Sequence, residues 1–259
     1  MPDFIVIGTQ KGGSTSMYQY LASHPYVVPS WRKEVDFFDL YYSKGVSWYR
    51  SFFPSTLYYR FFKEFHKRGF LTGEASPYYL IHPHAPKRVS ELLPQVKLIA
   101  VLRNPVDRAY SHYAGEFEPG YETIDSFEEA IDREEERLEG EYEKLVEDGN
   151  YYSYNHHHYS YLTRGIYADQ LTRWFEYFPR EQILILSSED LRTDTSGVFK
   201  AVQDFLGLPH WEPPAFKKHL SRKYTKKLDA ETRKRLVKYF IPHNKRLYNL
   251  LGKKFDWDK

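Results

Sequence analysis

Four short apolar runs bounded by turn residues constrain this chain more than any other feature: FIVIG at 4–8, FLTGEAS at 70–76, KLIAVLRN at 97–104 and QILILSS at 182–188. Apolar runs without polar alternation are the pattern of strands buried on both faces, and such strands belong to parallel sheets. Helical patterns lie between or after them, at 14–23, 86–93, 106–116, 167–177 and 198–206. Strand and helix in alternation predict βαβ units, and hence an α/β fold with a central parallel sheet flanked by helices.

A chain of 259 residues predicts one domain over 1–259, with a helical and aromatic insertion at about 120–162. Within that insertion, Leu138, Tyr142, Leu145 and Val146 recur at helical spacing, which predicts one amphipathic helix over 125–149. Another helix is expected from about 230 to 251, ending at Gly252. The 37 basic and 35 acidic side chains leave a net charge of +2, which argues against a nucleic-acid or anionic-membrane partner and makes any anion site local. There is no cysteine, so thiol nucleophiles, thiolate metal sites and disulfides are excluded. With no leader and no long apolar span, the expectation is a cytoplasmic protein. Oligomeric state is left open.

The first strand feeds GTQKGGSTSM. Gly12 and Gly13 permit close backbone approach, and the helix that follows offers free N–H groups and the hydroxyls of Ser14, Thr15 and Ser16: an anion cradle. The spacing from Gly8 to Gly13 mimics a nucleotide-triphosphate loop, yet position 14 is Ser where that motif needs Lys. The lysine is Lys11, inside the loop, within reach of a bridging phosphate oxygen. A second anion site is expected after the strand KLIAVLRN. Arg103 stands at its carboxyl end and Ser111 lies in the next helix, a pair suited to charge-assisted bonding of another phosphate. Two phosphate sites favour a nucleotide phosphorylated at both ends.

These segments resemble the sulfotransferases that use phosphoadenosine phosphosulfate (PAPS), most closely the heparan sulfate type. KEVDFFD at 33–39, YYSKGVSWYRSFFP at 41–54, GEASPYY at 73–79, LRNPVDRAYSHY at 102–113 and the closing LVKYFIPHNKRLYNLLGKKFDW at 236–257 occur in the same order as in that family. The resemblance implies a P-loop-like nucleotide-binding sulfotransferase fold, PAPS as donor with phosphoadenosine phosphate (PAP) as product, and no metal. It assigns Glu34 as catalytic base and Lys11 as the cation at the leaving phosphate. The 5′-phosphosulfate falls to the loop of Lys11, Gly12, Gly13, Ser14, Thr15 and Ser16, and the 3′-phosphate to Arg103 and Ser111. Arg222, Lys223 and Tyr224, in HLSRKYTKKL, correspond to a basic loop over the donor. Asp36 stands where some relatives carry His, and Ala75 where they carry Lys, so the resemblance speaks more closely to the donor than to a heparan-like acceptor.

The chemistry expected is transfer of a sulfuryl group to a hydroxyl or amine of a carbohydrate-like or other small acceptor. Sulfuryl transfer is an in-line displacement, so positioning and electrostatics carry it. Burial of Glu34 against Phe37 and Phe38 is expected to raise its pKa from about 4.3 toward neutrality. The alternative is a P-loop-type kinase or nucleotide triphosphatase using magnesium ATP; a binding module without a base is a further one. NHHHYSY at 155–161 suggests a metal at first sight, but consecutive His side chains diverge and no acidic partner has ligand spacing. Those His and Tyr residues are read instead as lining an acceptor cleft or a polar surface.

Overall fold

A computed structural model describes residues 1–216 and 227–258. The described residues form two compact units. One comprises Met1–Leu102 and the described part of 177–221; the other comprises Arg103–Glu176 and the described part of 222–259.

The first unit is built on five parallel strands: β1 (Phe4–Gly8), β2 (Val27–Pro29), β3 (Leu71–Ala75), β4 (Lys97–Leu102) and β5 (Ile183–Ser187), in the order β2-β3-β1-β4-β5. The four apolar runs are β1, β3, β4 and β5. The strand absent from the expectation is β2, three residues long at the sheet edge and closed by Pro29. An edge strand pairs on one side only, so a short segment containing proline suffices there. β1 is central: the chain leaves it for β2 and β3 on one side and then crosses over from β3 to β4 on the other. The carboxyl end of β1 is therefore a topological switch point, where open α/β sheets collect ligands.

Helix Ser14–Ala22 returns from β1 across one face, burying Met17, Tyr18, Tyr20 and Leu21 against Phe4, Val6, Ile99, Val101 and Phe199. Burying each such side chain is worth about 1.5–3 kcal/mol, so the loop between β1 and this helix is anchored at both ends.

The second unit packs helix Pro105–Phe117 against helix Ala230–Leu251, around Val106, Ala109, Tyr113, Phe127, Tyr161, Leu236 and Phe240. The expected single helix over 125–149 is instead three short ones: Phe127–Asp132, Glu134–Leu138 and Glu141–Glu147. Two features break it. The Glu134 carboxylate is buried and accepts the Leu162 and Thr163 N–H groups at 2.6 and 2.8 Å, which fixes the chain there. Gly140 adopts φ 70°, a left-handed turn at odds with a continuous helix.

Candidate functional site

The loop that leaves β1 has no room for side chains where it matters. A Cβ on Gly12 would lie directly against the Val101 carbonyl oxygen and 2.7 Å from Thr9 Cγ2. That carbonyl already accepts the Thr9 N–H at 2.9 Å, and the Gly12 N–H donates to the Thr9 carbonyl at 3.0 Å, closing a tight turn on β4. Gly13 has φ 109° and Lys11 φ 66°. Both lie in the left-handed region, where glycine is at ease and lysine is strained. Gly13 is the N-cap of helix Ser14–Ala22, whose first turn carries no side-chain cap and no acidic residue. Ser14 is buried, Lys11, Thr15 and Ser16 are half-buried, and Ser16 shares a hydrogen bond with Tyr20. Uncapped N–H groups, the positive end of the helix dipole and a nearby lysine are what an anion needs.

Glu34 sits beyond the carboxyl end of β3. After β2 the chain runs on beside β3, the Ser30 N–H donating to Gly73 at 3.1 Å and the Glu34 N–H to Ala75 at 3.0 Å. Glu34 and Asp36 take φ values of 58° and 54°. Non-glycine residues rarely adopt that conformation, which costs about 1–3 kcal/mol each and persists only where the surroundings enforce it. The expected burial of Glu34 is not found: its side chain is 50% exposed and ion-paired with Lys33. Phe37 and Phe38 point inward instead, Phe37 stacking on Tyr49 with ring centroids 4.6 Å apart.

The buried carboxylates nearby are others. Glu74, the last residue but one of β3, is wholly buried. Burial pushes its pKa up to about 7, against the opposing pull of hydrogen bonds from Tyr49, Ser76 and Tyr79. Burial likewise raises Asp36 to about 6, with the Glu34 charge adding to the effect, and raises Asp39, with Asp36 adding. Arg88 donates to the Phe38 carbonyl at 2.9 Å and lies over the Tyr42 ring, which closes this cluster. Glu74, Tyr49, Ser76 and Tyr79 were not singled out from the sequence. The available signal was a glutamate near the end of an apolar strand whose neighbours are all inward-facing.

In the second unit, Arg103 follows β4 in sequence. Its carbonyl accepts the Tyr167 hydroxyl at 2.8 Å. Asn104 caps helix Pro105–Phe117, its Oδ1 accepting from Val106 and Asp107, with Pro105 at the first helical position. Ser111 is buried two turns along. Arg108, fully buried, donates to the Tyr161 carbonyl at 2.5 Å, and burial lowers its pKa to about 10. Arg222, Lys223 and Tyr224 lie outside the described residues.

The histidine run forms helix Tyr154–Tyr159. His156 and His158 are buried, and burial lowers the pKa of both His156 and His157 to about 3. His158 Nδ1 meets Glu116 at 2.6 Å and its Nε2 meets the Tyr152 hydroxyl at 3.1 Å. Arg164, also buried, donates to the His156 and His157 carbonyls. The buried His156, His158, Ser160 and Tyr161 make this largely internal scaffolding rather than the polar surface that was one of the two expectations. Among the described residues, no three His, Asp or Glu side chains are arranged to hold a metal ion.

Comparison with known proteins follows the same lines. The human heparan sulfate glucosamine 3-O-sulfotransferase 3B1 is 30% identical over 282 residues, covering 100% of this chain and 65% of that protein. The human bifunctional heparan sulfate N-deacetylase/N-sulfotransferase 3 is 33% identical over 291 residues, covering 98% of this chain and 30% of that protein. The chain thus spans about 65% of the length of 3B1 and less of longer relatives. The crystal structure of a sulfotransferase from Alicyclobacillus acidocaldarius superposes with a TM-score of 0.76 at 27% identity, covering 100% of this chain and 99% of that one. The family model described as the sulfotransferase domain matches residues 1–259, and the chain belongs to the sulfotransferase family.

Proposed function

We propose that this chain transfers a sulfuryl group from PAPS to a hydroxyl or amine of a carbohydrate-like or small acceptor, with Glu34 as base. The observation that carries the proposal is the setting of Glu34: a carboxylate half exposed to an incoming acceptor, on a strained turn tied to the end of β3. A group held on a rigid support and still reachable is what a positioned base requires. The tight packing of Gly12 on β4 supports the donor side, since it fixes the loop that leads into the uncapped N–H groups of helix Ser14–Ala22.

In this reading Glu34 takes the acceptor proton as the acceptor oxygen or nitrogen bonds to sulfur. The bond from sulfur to the bridging oxygen breaks, and the electron pair leaves with the 5′-phosphate of PAP. Lys11 neutralises the charge developing on that oxygen, and the N–H groups of the first helical turn hold the phosphate. Arg103 and Ser111 take the 3′-phosphate, and Arg222, Lys223 and Tyr224 are assigned to the donor from the sequence resemblance alone. Two relatives carry heparan sulfate in their names, which makes glycans the first acceptors to test. Asp36 and Ala75 place a carboxylate and a methyl group where the resemblance has His and Lys, which favours an acceptor less anionic than heparan sulfate. A reducing, cytoplasmic location belongs to the same proposal and rests on the cysteine-free composition.

The test is turnover of radiolabelled PAPS with a panel of N-sulfated heparosan oligosaccharide, glucosamine and p-nitrophenol, with and without EDTA. Glu34→Gln should lower kcat by about 10²- to 10⁴-fold, and EDTA should leave the rate unchanged. Near-full activity of Glu34→Gln would remove the base assignment.

A further inference from the structure

The segment that carries Glu34 is held by a ring of hydroxyls, and all of them converge on one carboxylate. Tyr49 donates its hydroxyl to Glu74 Oε1 at 2.6 Å, Tyr79 donates to the same oxygen at 3.3 Å, and Ser76 donates to Oε2 at 2.8 Å. With their protons committed to Glu74, the oxygens of two of these hydroxyls present lone pairs to the segment. The Ser76 oxygen accepts the Asp36 N–H at 3.1 Å; the Tyr79 oxygen accepts the Phe37 N–H at 2.8 Å and the Phe38 N–H at 3.4 Å. The third hydroxyl acts through its ring, since Tyr49 stacks on Phe37 at an interplanar angle of 13°. When ionised, Glu74 offers acceptors only, so it sets the direction of all three donors.

We infer that Glu74 is a positioning residue for sulfuryl transfer: through Tyr49, Ser76 and Tyr79 it locks residues 36–38 and thereby sets the strained turn that presents Glu34. The inference rests on the reading of Glu34 as base. Among the described residues, the backbone from 34 to 38 is also held by the Glu34 N–H to Ala75, Glu74's neighbour on the same strand, and by Arg88 at the Phe38 carbonyl. Glu74 is fully buried and so out of reach of an incoming acceptor, and it acts on the segment through these contacts. Its own register is fixed by pairing with Ile5 in the centre of the sheet, which makes the rigid core the reference for the base. An amide or apolar side chain at 74 removes an acceptor or turns a donor toward the hydroxyls. At least one hydroxyl must then rotate, and the N–H it was holding loses its partner.

The test combines Glu74→Gln and Glu34→Gln, singly and together, with the conservative Tyr49→Phe as a second route should Glu74→Gln fail to fold. Three readouts are needed: kcat with the first acceptor of the panel to support turnover, the Kd for PAP by calorimetry, and amide hydrogen exchange at residues 36–38. Expected for Glu74→Gln is a kcat lowered about 10- to 100-fold, as for small displacements of a catalytic group, with the PAP affinity unchanged within about twofold. Exchange should quicken at Asp36, Phe37 and Phe38 and stay protected along β1 and β4. In the Glu34→Gln background Glu74→Gln should have no further effect on kcat, because it acts through the group already removed. Unaltered exchange at 36–38 would overturn the inference whatever Glu34 does, and so would additive losses in the double variant. Full activity of Glu34→Gln, with quickened exchange in Glu74→Gln, would instead remove the base assignment and leave Glu74 as the residue that holds the segment.

Discussion

Gly12→Ala is the substitution the donor loop should tolerate least. The new methyl group would lie directly against the Val101 carbonyl oxygen, with Thr9 Cγ2 at 2.7 Å and the Thr9 carbonyl at 3.1 Å. None of the three can retreat cheaply. Val101 belongs to β4, which pairs on both sides in the sheet, and its carbonyl accepts the Thr9 N–H. Relief therefore has to come from the loop moving outward. Overpacking of this kind costs about 1–3 kcal/mol. Loss of the Thr9–Val101 hydrogen bond adds about 0.5–1.5 kcal/mol, for a total of about 1.5–4.5 kcal/mol. The loop would also lift its N–H groups away from a bound phosphate, so PAP affinity should fall about 100-fold or more even in protein that remains folded. Urea unfolding followed by fluorescence gives the first quantity, and calorimetry at a temperature where the variant is fully folded gives the second. A variant within about 0.5 kcal/mol of the parent with undiminished PAP binding would refute the reasoning, because it would mean the turn on Val101 is not what shapes the cradle.

Four further outcomes are expected. Tyr49→Phe keeps the stacking on Phe37 and removes the hydroxyl on buried Glu74, so thermal or urea unfolding should show a loss of about 1–3 kcal/mol. Asn104→Ala removes the cap of helix Pro105–Phe117 and should cost about 1 kcal/mol in the same assay, with no accompanying change in the sheet unit's amide exchange. The two histidines whose pKa burial lowers to about 3 hold protons less tightly folded than unfolded. Each should therefore contribute stability that is present above pH 6.5 and lost as pH falls toward 3, with a slope approaching 1.4 kcal/mol per pH unit per proton. Glu74 and Asp36, raised to about 7 and 6, run the other way: each is protonated more readily when folded, and its contribution declines as pH rises from about 4 through those values. Unfolding titrations of the parent against Glu74→Gln isolate the Glu74 part of that slope, which should be absent in the variant while the Asp36 part remains.

The apolar runs predict β1, β3, β4 and β5 because strands buried on both faces leave little choice of composition, and the glycine loop after β1 is readable because Gly12 stands where only backbone fits and Gly13 takes a left-handed φ of 109°. Other parts of the molecule depend on contacts distant in sequence. β2 is three residues ending in proline and exists because β3 offers an edge. The break at Glu134 follows from amides nearly thirty residues away, at Leu162 and Thr163, which periodicity within 125–149 does not reveal. Glu34 was expected to be buried because Phe37 and Phe38 follow closely, yet the left-handed turns at 34 and 36 send those rings inward and leave the carboxylate at the surface. Glu74 is not legible in the sequence for the converse reason: its role depends on Tyr49, 25 residues before it, meeting Ser76 and Tyr79 after the strand.

The most direct test of the account is calorimetry of PAP against the purified chain without divalent metal, beside magnesium ATP as the rival ligand. PAP should bind with a Kd in the micromolar range or tighter, unaffected by EDTA and weakened by substitution of Lys11 or Arg103. Preference for magnesium ATP, with no detectable binding of PAP, would contradict the proposed donor and with it the assignment of the loop after β1.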